Sequence, residues 1–233
     1  MYNTPDLADL SRFQEEMGKY GLENRVEFVF ASQWLRDQAG IPGEVHPSII
    51  DVKRFCPRPK RPTSESFVVG RLSRDVLEKH HPDDPDLWID LAKRGFRVRL
   101  MGATCLLETL GNQSGIEVLP VGAESAESFL QSLDAFVYRT DSSRFIEPSG
   151  RVVLEALSCG VPVVCDREGG YREVIVDGSN GLYADDSAEI MTRLEALRAN
   201  SDLLRSLARQ GRRYVEDLFS ESAMADMNKF FIE

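Results

Sequence analysis

Two glutamates with seven residues between them, Glu147 and Glu155, stand on either side of a predicted helix start. The first peptide N–H groups of a helix lack partners inside it and lie at the positive end of its dipole, so they form a site for an anion. Here these groups belong to Ser149, Gly150, Arg151 and Val152. Gly150 has no side chain, which would let a phosphate approach closely. Because a carboxylate accepts two hydroxyl groups, the glutamates could hold a sugar or a ribose ring beside that phosphate.

A structural explanation of Glu155 competes with this one. Arg151 lies four residues before it, and the two side chains could form an ion pair on the helix surface. This order, with the arginine first, is the weaker orientation, and a cation in the first turn opposes the helix dipole. We therefore favour ligand binding for the two glutamates and keep the ion pair as the alternative.

The helix that carries Glu155 has signals at both ends. Ser149 is a favoured N-cap residue, and Gly160 followed by Pro162 predicts a helix end near Cys159. At 100° per residue the apolar face is centred on Val153, Ala156 and Leu157, and the opposite edge carries Arg151, Glu155 and Ser158. The run 161–165, V-P-V-V-C, is apolar without alternation, which is typical of a strand covered on both faces.

Strands and helices of about ten residues alternate through most of the chain. Predicted strands lie at 67–72, 97–102, 116–119, 135–138 and 161–165, and the other predicted helices at 84–94, 104–110, 125–132, 187–199, 202–218 and 221–231. This order is typical of an α/β fold with a Rossmann-like parallel sheet flanked by helices.

A shorter set of elements precedes the sheet. The sequence predicts a helix at 7–20, a strand at 26–31, a helix at 33–38 capped by Ser32, and a strand at 44–47. The composition then shifts to Pro, Lys and Arg at 51–66, as in a linker. We therefore divide the chain into residues 1–60 and residues 61–233, and place the ligand-binding domain in the second part.

The predicted strand ends bring candidate residues together. Ligands of parallel sheets bind beyond the carboxyl ends of the strands. The loops at that edge contain Arg71, Gly102, Val121 with Gly122, and Glu147. We therefore expect one crevice that these four loops line, with an arginine able to bind an anion through two parallel hydrogen bonds.

Composition argues against several classes of protein. The 233 residues carry a formal net charge of −10, which argues against a nucleic-acid groove and against broad binding to anionic lipid. No run approaches the roughly twenty apolar residues of a membrane span, and the N-terminus has no signal-peptide pattern. The four scattered cysteines lack metal-ligand spacing and favour a reducing, cytoplasmic location. We interpret the basic cluster Lys53, Arg54, Arg58, Lys60 and Arg61 as a solvated linker, with a membrane or phosphate role as the alternative.

Other chemistry has weaker support. His80 and His81 are adjacent and have no third ligand at helical spacing, so no metal site is predicted. Asp84-Pro85-Asp86 could hold a divalent cation, but it opens a predicted helix, where aspartate is a favoured cap, and we favour the cap. No serine has a nucleophile elbow with His and Asp partners, and no strand is followed by G-x-G-x-x-G. Hydrolase and nicotinamide chemistry are therefore not predicted.

The stretch from Phe145 to Tyr183 resembles a known family. E-P-S-G-R-V-V-L-E-A-L (147–157) followed by C-G-V-P-V-V (159–164) is similar to the E-x7-E signature of retaining glycosyltransferases of the GT-B fold, family 4 (glycosyltransferase group 1). The family's next block resembles 169–173 and 177–182, and its G-R-L … K block resembles 70–74 with Lys79. The resemblance extends from about residue 25 to the C-terminus and is to the C-terminal, donor-binding half of such an enzyme.

The resemblance implies chemistry for the cations. Arg71 and Lys79 would neutralise the diphosphate of a nucleotide-sugar, and Arg74 is a competing cation because Lys79 lies eight residues after Arg71. Members of the family transfer the sugar with retention and need no metal. The nucleotide-sugar is then a substrate, and no cofactor is expected.

The resemblance also implies roles for the other candidate residues. Glu155 would hold the ribose hydroxyls, and Glu147 would lie near the transferred sugar. Peptide N–H groups of 149–152 would meet sugar and phosphate, and the base would lie against a loop at 120–122. The family's glycine-rich turn after the first glutamate is replaced here by P-S-G (148–150), which we expect to affect the choice of sugar.

The match to the N-terminal, acceptor-binding half of the family is limited to its last strand and helix, 26–38. We therefore expect a missing domain or a partner chain to supply the acceptor site. Our main hypothesis is a retaining glycosyltransferase acting on a nucleotide-sugar. The alternatives are a non-catalytic nucleotide-sugar-binding subunit, one half of a split glycosyltransferase, and a structural interaction domain.

Overall fold

The computed structural model describes residues 7–58, 66–141, 143–145 and 147–229. Lys60 and Arg61 of the basic cluster, and the end of the helix predicted at 221–231, lie outside these residues. The predicted division between residues 60 and 61 also falls outside them and stays a prediction.

The order of elements follows the predicted alternation. The helices are α1 Leu7–Lys19, α2 Gln33–Ala39, α3 Asp84–Lys93, α4 Leu107–Leu110, α5 Ala126–Leu130, α6 Arg151–Ser158, α7 Ser187–Ala199, α8 Ser201–Leu218 and α9 Glu221–Lys229. The strands are β1 Val29–Phe30, β2 Glu44–Val45, β3 Val68–Leu72, β4 Arg97–Met101, β5 Ile116–Leu119, β6 Ala135–Tyr138, β7 Val163–Cys165 and β8 Leu182–Tyr183. Short 3₁₀ turns include Leu77–Lys79 and Gly170–Glu173.

Six strands form one parallel sheet in the order β5-β4-β3-β6-β7-β8. The chain builds the sheet outward from β3 to β5, then returns to place β6 on the other side of β3. This is the strand order of a doubly wound Rossmann-type sheet, and the expected α/β fold is confirmed. The order reverses between β3 and β6, and the crevice at such a switch point is where ligands of these sheets bind.

Helices cover both faces of the sheet. Strand residues alternate between the two layers although the sequence runs are uniformly apolar. In β6, Phe136 and Tyr138 pack in the layer that contains α6, whereas Ala135 and Val137 pack in the layer that contains α3 and α7. This alternation places the side chain of Tyr138, the last residue of β6, on the same face as the helix that carries Glu155.

The N-terminal segment packs against the loop that precedes α6. Strands β1 and β2 form a separate two-stranded parallel sheet. Ser32 caps α2 as predicted, and its hydroxyl also donates to the carbonyl of Pro148 at 2.6 Å. The carboxylate of Glu173 accepts hydrogen bonds from the first two peptide N–H groups of α2, at 2.9 and 2.5 Å. These contacts fix the loop before α6 from outside the sheet.

Two local predictions about α6 and the chain after it, the N-cap and the turn at 182–183, are wrong. Ser149 is not the N-cap; Gly150 is, with a left-handed φ of 64°, and the Ser149 hydroxyl lies 3.2 Å from that of Ser48. On the helix edge opposite the predicted apolar face, Glu155 and Ser158 are buried whereas Arg151 is exposed, and the Ser158 hydroxyl donates to the carbonyl of Phe55 at 2.5 Å. The two-residue strand β8 lies where only a turn was predicted, because so short a strand has no periodic signal.

Among the described residues, no helix is both long enough and apolar enough to cross a membrane.

Candidate functional site

A crevice of about 280 Å³ opens at the carboxyl ends of β3 and β6, the switch point of the sheet. Its walls are formed by the ends of the strands, the 3₁₀ turn Leu77–Lys79 and the first two turns of α6. The lining residues are Leu72, Ser73, Arg74, Lys79, Val121, Tyr138, Glu147, Arg151, Val152 and Glu155. Six of the predicted site residues are therefore brought together: Lys79, Val121, Glu147, Arg151, Val152 and Glu155.

The other predicted residues lie around the crevice rather than on its walls. Ser149 lines a second cleft, of about 170 Å³, beside Ser48. Gly102 has a φ of 77°, and a side chain there would overlap the carbonyl of Ser73, so the loop needs glycine for its own packing. Gly122 also has a positive φ, of 78°, in open space. Their proposed contacts with a ligand stay predictions.

Glu147 is held by three donors. The Nζ of Lys79 lies 2.6 Å from its Oε2, and the hydroxyl of Tyr138 donates to the same oxygen at 2.8 Å. The peptide N–H of Gly150 donates to Oε1 at 3.3 Å, so one of the predicted anion donors is already used by this carboxylate. The Lys79 ammonium also lies 3.7 Å from the centre of the Phe145 ring.

These contacts set the charge of the pair. Burial alone would raise the pKa of Glu147, but the charge and hydrogen bond of Lys79, with the bonds from Tyr138 and Gly150, hold it below its ordinary value. Burial lowers the pKa of Lys79, and Glu147 opposes that shift. Glu147 is therefore an ionised acceptor at neutral pH.

Glu155 is paired with Arg151. The Nε of Arg151 lies 3.0 Å from Oε1 of Glu155, so the ion pair kept as the alternative does form. The arginine side chain is 58% exposed and the glutamate side chain 12%, so the carboxylate is nearly buried while its partner extends toward solvent. Burial raises the pKa of Glu155, and Arg151 only partly opposes it. An incoming hydroxyl group would have to share this carboxylate with Arg151 or replace it.

Arg71 lies behind the crevice wall. Its side chain is almost fully buried, and its guanidinium lies 4.5 Å from the centre of the Tyr138 ring. Nη2 donates to the carbonyl of Lys79, whereas Nε and Nη1 have no hydrogen-bond partner among the described residues. Unpaired buried donors are costly, and an anion that reached them would satisfy them. Arg71 thus has two unpaired donors among the described residues, but it does not line the crevice.

The candidate metal residues have other partners. The Nε2 of His80 lies 3.0 Å from the carbonyl of Gly102. Asp84 is not the cap of α3, because the N-cap is Asp83, which makes no side-chain cap bond; Asp84 instead forms a buried ion pair with Nε of Arg139 at 2.8 Å. In the part of the chain that the structure describes, no three His, Cys, Asp or Glu side chains are grouped to hold a metal ion.

Tyr138, Ser73 and Leu72 line the crevice and were not predicted. Tyr138 had a detectable signal: it ends a predicted strand, and period-two alternation places it on the same face as Phe136. The partner that it would meet could not be predicted, because that depends on which strand lies next to β6.

Fold and site together define a doubly wound α/β domain with a crevice at the switch point that is lined by both cations and carboxylates. Comparison with known proteins gives the family. Residues 99–214 match the sequence model of the group 1 glycosyl transferases, and the chain belongs to this family.

Relatives and solved structures agree with this assignment. An uncharacterised glycosyltransferase of Methanocaldococcus jannaschii is 28% identical over 160 residues, which cover 64% of this chain and 44% of that protein. The Anabaena protein HepE, solved with UDP and glucose, superposes with a TM-score of 0.75 at 20% identity, over 91% of this chain and 64% of that one.

A third comparison concerns a single domain. The C-terminal domain of a Francisella tularensis group 1 glycosyl transferase superposes with a TM-score of 0.59 at 19% identity, and the match covers 74% of this chain and 99% of that domain. The six-stranded sheet is therefore similar to the C-terminal half of a GT-B enzyme. The chain spans less than half the length of the curated relatives it matches.

Proposed function

We propose that this chain is the donor-binding domain of a retaining glycosyltransferase that transfers a sugar from a nucleotide-sugar without a metal ion. One observation carries the proposal. Glu147, Glu155 and Lys79 line one crevice at the switch point of the sheet, next to the first turn of α6. This set supplies acceptors for sugar hydroxyls, a cation for a diphosphate and a helix start for an anion.

Each residue then has a role in the proposal. Glu155 accepts the ribose hydroxyls, and Glu147 accepts hydroxyls of the transferred sugar. Lys79 and the first turn of α6 stabilise the charge that develops on the departing diphosphate, and the charge of Arg71 adds to this from behind the crevice wall. Binding of UDP and glucose by the Anabaena neighbour supports a donor of this chemical class.

The proposal includes partners and location. The acceptor would be bound opposite the crevice by another domain or a partner chain, which fits the partial coverage of the relatives. A cytoplasmic location rests on the scattered cysteines of the sequence. A non-catalytic nucleotide-sugar-binding subunit is the second candidate, because both cations beside the glutamates are already paired with them.

Calorimetry on two matched variants tests the proposed division of roles. Glu155→Gln should weaken binding of the nucleoside diphosphate and of the nucleotide-sugar alike, by about 1.5–3 kcal/mol, because both ligands carry the ribose. Glu147→Gln should weaken only the nucleotide-sugar. The ligands are UDP, GDP and ADP with their glucose or mannose derivatives, and EDTA should leave all affinities unchanged.

Three results would contradict the proposal. The first is that wild-type protein binds none of these ligands. The second is that the two variants behave identically toward diphosphate and nucleotide-sugar. The third is a gain of more than tenfold in affinity on adding manganese, which would give a metal ion the role assigned here to Lys79 and the helix start.

A further inference from the structure

Tyr138 stands at the centre of the crevice wall, at the last residue of β6. Its ring is almost fully buried and is packed on three sides. The Phe136 ring lies parallel to it at 6.0 Å, the Tyr171 ring is perpendicular to it at 5.3 Å, and the Arg71 guanidinium lies over one face. These contacts leave the ring one position, so its hydroxyl has a fixed place in the crevice.

The hydroxyl is a donor. Burial, and then the negative charge of Glu147, raise the pKa of Tyr138 well above its ordinary value, so the phenol keeps its proton at neutral pH. Its bond to Glu147 Oε2 is charge-assisted, and such bonds are about twice as strong as neutral ones.

Four residues, Tyr138, Glu147, Lys79 and Arg71, form a closed circuit of contacts, in which Lys79 takes part through both its side chain and its backbone carbonyl. The Tyr138 hydroxyl binds the carboxylate of Glu147, and that carboxylate is paired with the Lys79 ammonium. The carbonyl of Lys79 accepts from Arg71, whose guanidinium lies on the Tyr138 ring. Removing the hydroxyl opens this circuit at Glu147 and leaves the carboxylate held on that oxygen by Lys79 alone.

We propose that Tyr138 is a positioning residue for Glu147. The Tyr138 hydroxyl holds the Glu147 carboxylate at the point where the sugar of the donor binds. The inference rests on the proposed function, because it assigns Tyr138 to the sugar side of the donor. A tyrosine that only filled the core would affect stability and leave the preference between diphosphate and nucleotide-sugar unchanged.

Tyr138→Phe keeps the ring and removes only the hydroxyl. With UDP-glucose and UDP as probes in calorimetry, we expect the variant to bind UDP-glucose about tenfold more weakly and UDP within about twofold of wild type. Tyr183→Phe is the matched control. Its hydroxyl is also hydrogen-bonded, to the carbonyls of Arg172 and Ile175, but it lies outside the crevice, so both affinities should stay unchanged.

A pH profile separates positioning from a structural effect. Glu147 faces Lys79 and Tyr138 directly, and Arg71, Arg74, Arg151 and Glu155 surround the same crevice. Ionised Glu147 accepts the sugar hydroxyls, so UDP-glucose affinity should fall as the pH falls through the pKa of Glu147. That pKa is held down partly by the Tyr138 bond, so in Tyr138→Phe the fall should occur at higher pH than in wild type.

A ¹³C NMR titration of the Glu147 carboxyl, in wild type and in Tyr138→Phe, measures the same shift without any ligand. It keeps the test valid if neither UDP nor UDP-glucose binds, a result that would count against the proposed function as far as these donors are concerned. Equal ratios of UDP-glucose to UDP affinity in the variant and wild type, or equal pKa values of Glu147, would overturn the role of Tyr138. If Tyr138→Phe does not fold, a wild-type Glu147 pKa at or above its ordinary value would overturn that role as well.

Discussion

Arg74 differs from the other cations of the crevice because its side chain has no hydrogen-bond or ion-pair partner in the described part of the chain. Lys79 is paired with Glu147, and Arg151 with Glu155. Arg74 lines the crevice and is exposed, and its charge contributes to the lowered pKa of Lys79. It is therefore a cation that can meet a phosphate without first leaving a carboxylate.

We expect Arg74→Ala to weaken binding of a nucleoside diphosphate by about 1 kcal/mol, the lower end for a charge-assisted bond at an exposed site. The loss should shrink as salt is raised, because exposed charges are screened. Arg205→Ala is the control, since this arginine is equally exposed but is paired with Asp202 on α8. Isothermal calorimetry at two salt concentrations measures both variants, and equal affinities for Arg74→Ala and wild type would remove this residue from the site.

Both glutamates are already paired with a cation, so a ligand that binds to either carboxylate would have to displace that cation or share the carboxylate with it. Breaking a buried pair by removing one partner is costly, because the other charge is left uncompensated. A nucleotide-sugar whose hydroxyls replace Lys79 at Glu147 must therefore offer its phosphates to the buried ammonium that it releases, whereas Arg151 is 58% exposed and can be released to solvent. This reciprocity favours ligands that carry both groups, as a nucleotide-sugar does.

Helix α6 places Glu155, and the loop that leads into it places Glu147. The N-cap of the helix, Gly150, has a φ of 64° and packs directly against Tyr171, where an added Cβ would lie 2.5 Å from that residue's Cβ. Its C-terminal end is bound by Arg212, whose Nη1 donates to the carbonyls of Phe55 and Ser158 at 2.7 and 2.8 Å. These contacts hold both ends of α6, the helix that carries Glu155.

We expect Gly150→Ala to lower the free energy of unfolding by about 2–4 kcal/mol, from the left-handed backbone and the overlap with Tyr171 together. Gly178→Ala is matched in backbone, with a φ of 73°, but has open space around its Cα, so it should cost only about 1 kcal/mol. Urea denaturation of both variants separates the cost of the left-handed backbone, which both share, from the cost of the overlap with Tyr171, which only Gly150→Ala has. Equal losses would show that Tyr171 gives way and that the packing at the helix start is loose.

At the scale of the whole molecule, the proposed function gives the described residues one wall of a transfer site. Sugar transfer needs an acceptor held in line with the donor, and positioning supplies roughly 7–11 kcal/mol of the barrier in well-oriented reactions. The chain spans 44% of the Methanocaldococcus jannaschii relative, so the activity of the whole protein remains a proposal.

We expect the 233-residue chain to bind donor but to transfer sugar negligibly to added hydroxyl acceptors. Supplying the part of the relative that lies outside the match, fused to this chain, should restore transfer. Product formation followed by mass spectrometry decides the outcome, with a fusion carrying Glu147→Gln as the control. If the chain alone transferred sugar at a rate similar to that of the fusion, no additional acceptor-binding domain would be needed. Donor binding without transfer by either form would favour a non-catalytic subunit.

The sequence by itself determined the features that depend on near neighbours in the chain. The alternation of apolar strands and helices predicted the α/β fold, because burial on both faces needs uniformly apolar strands. The spacing of Glu147 and Glu155 predicted that both would reach the start of one helix, since helical geometry fixes that distance. The sequence favoured ligand binding for Glu155 over an ion pair with Arg151; the ion pair forms, on a carboxylate that still lines the crevice.

Only the tertiary structure decided which side chains meet across the sheet. Lys79 and Glu147 are 68 positions apart and pair because β6 returns to lie beside β3. The same return places Tyr138 between Arg71 and Glu147. Arg71, which was expected to line the crevice, is therefore buried behind Tyr138. Ser149 likewise faces Ser48 instead of capping α6, because the N-terminal segment packs against that loop. These contacts follow from strand order and from long-range packing, and no local pattern of residues encodes either of them.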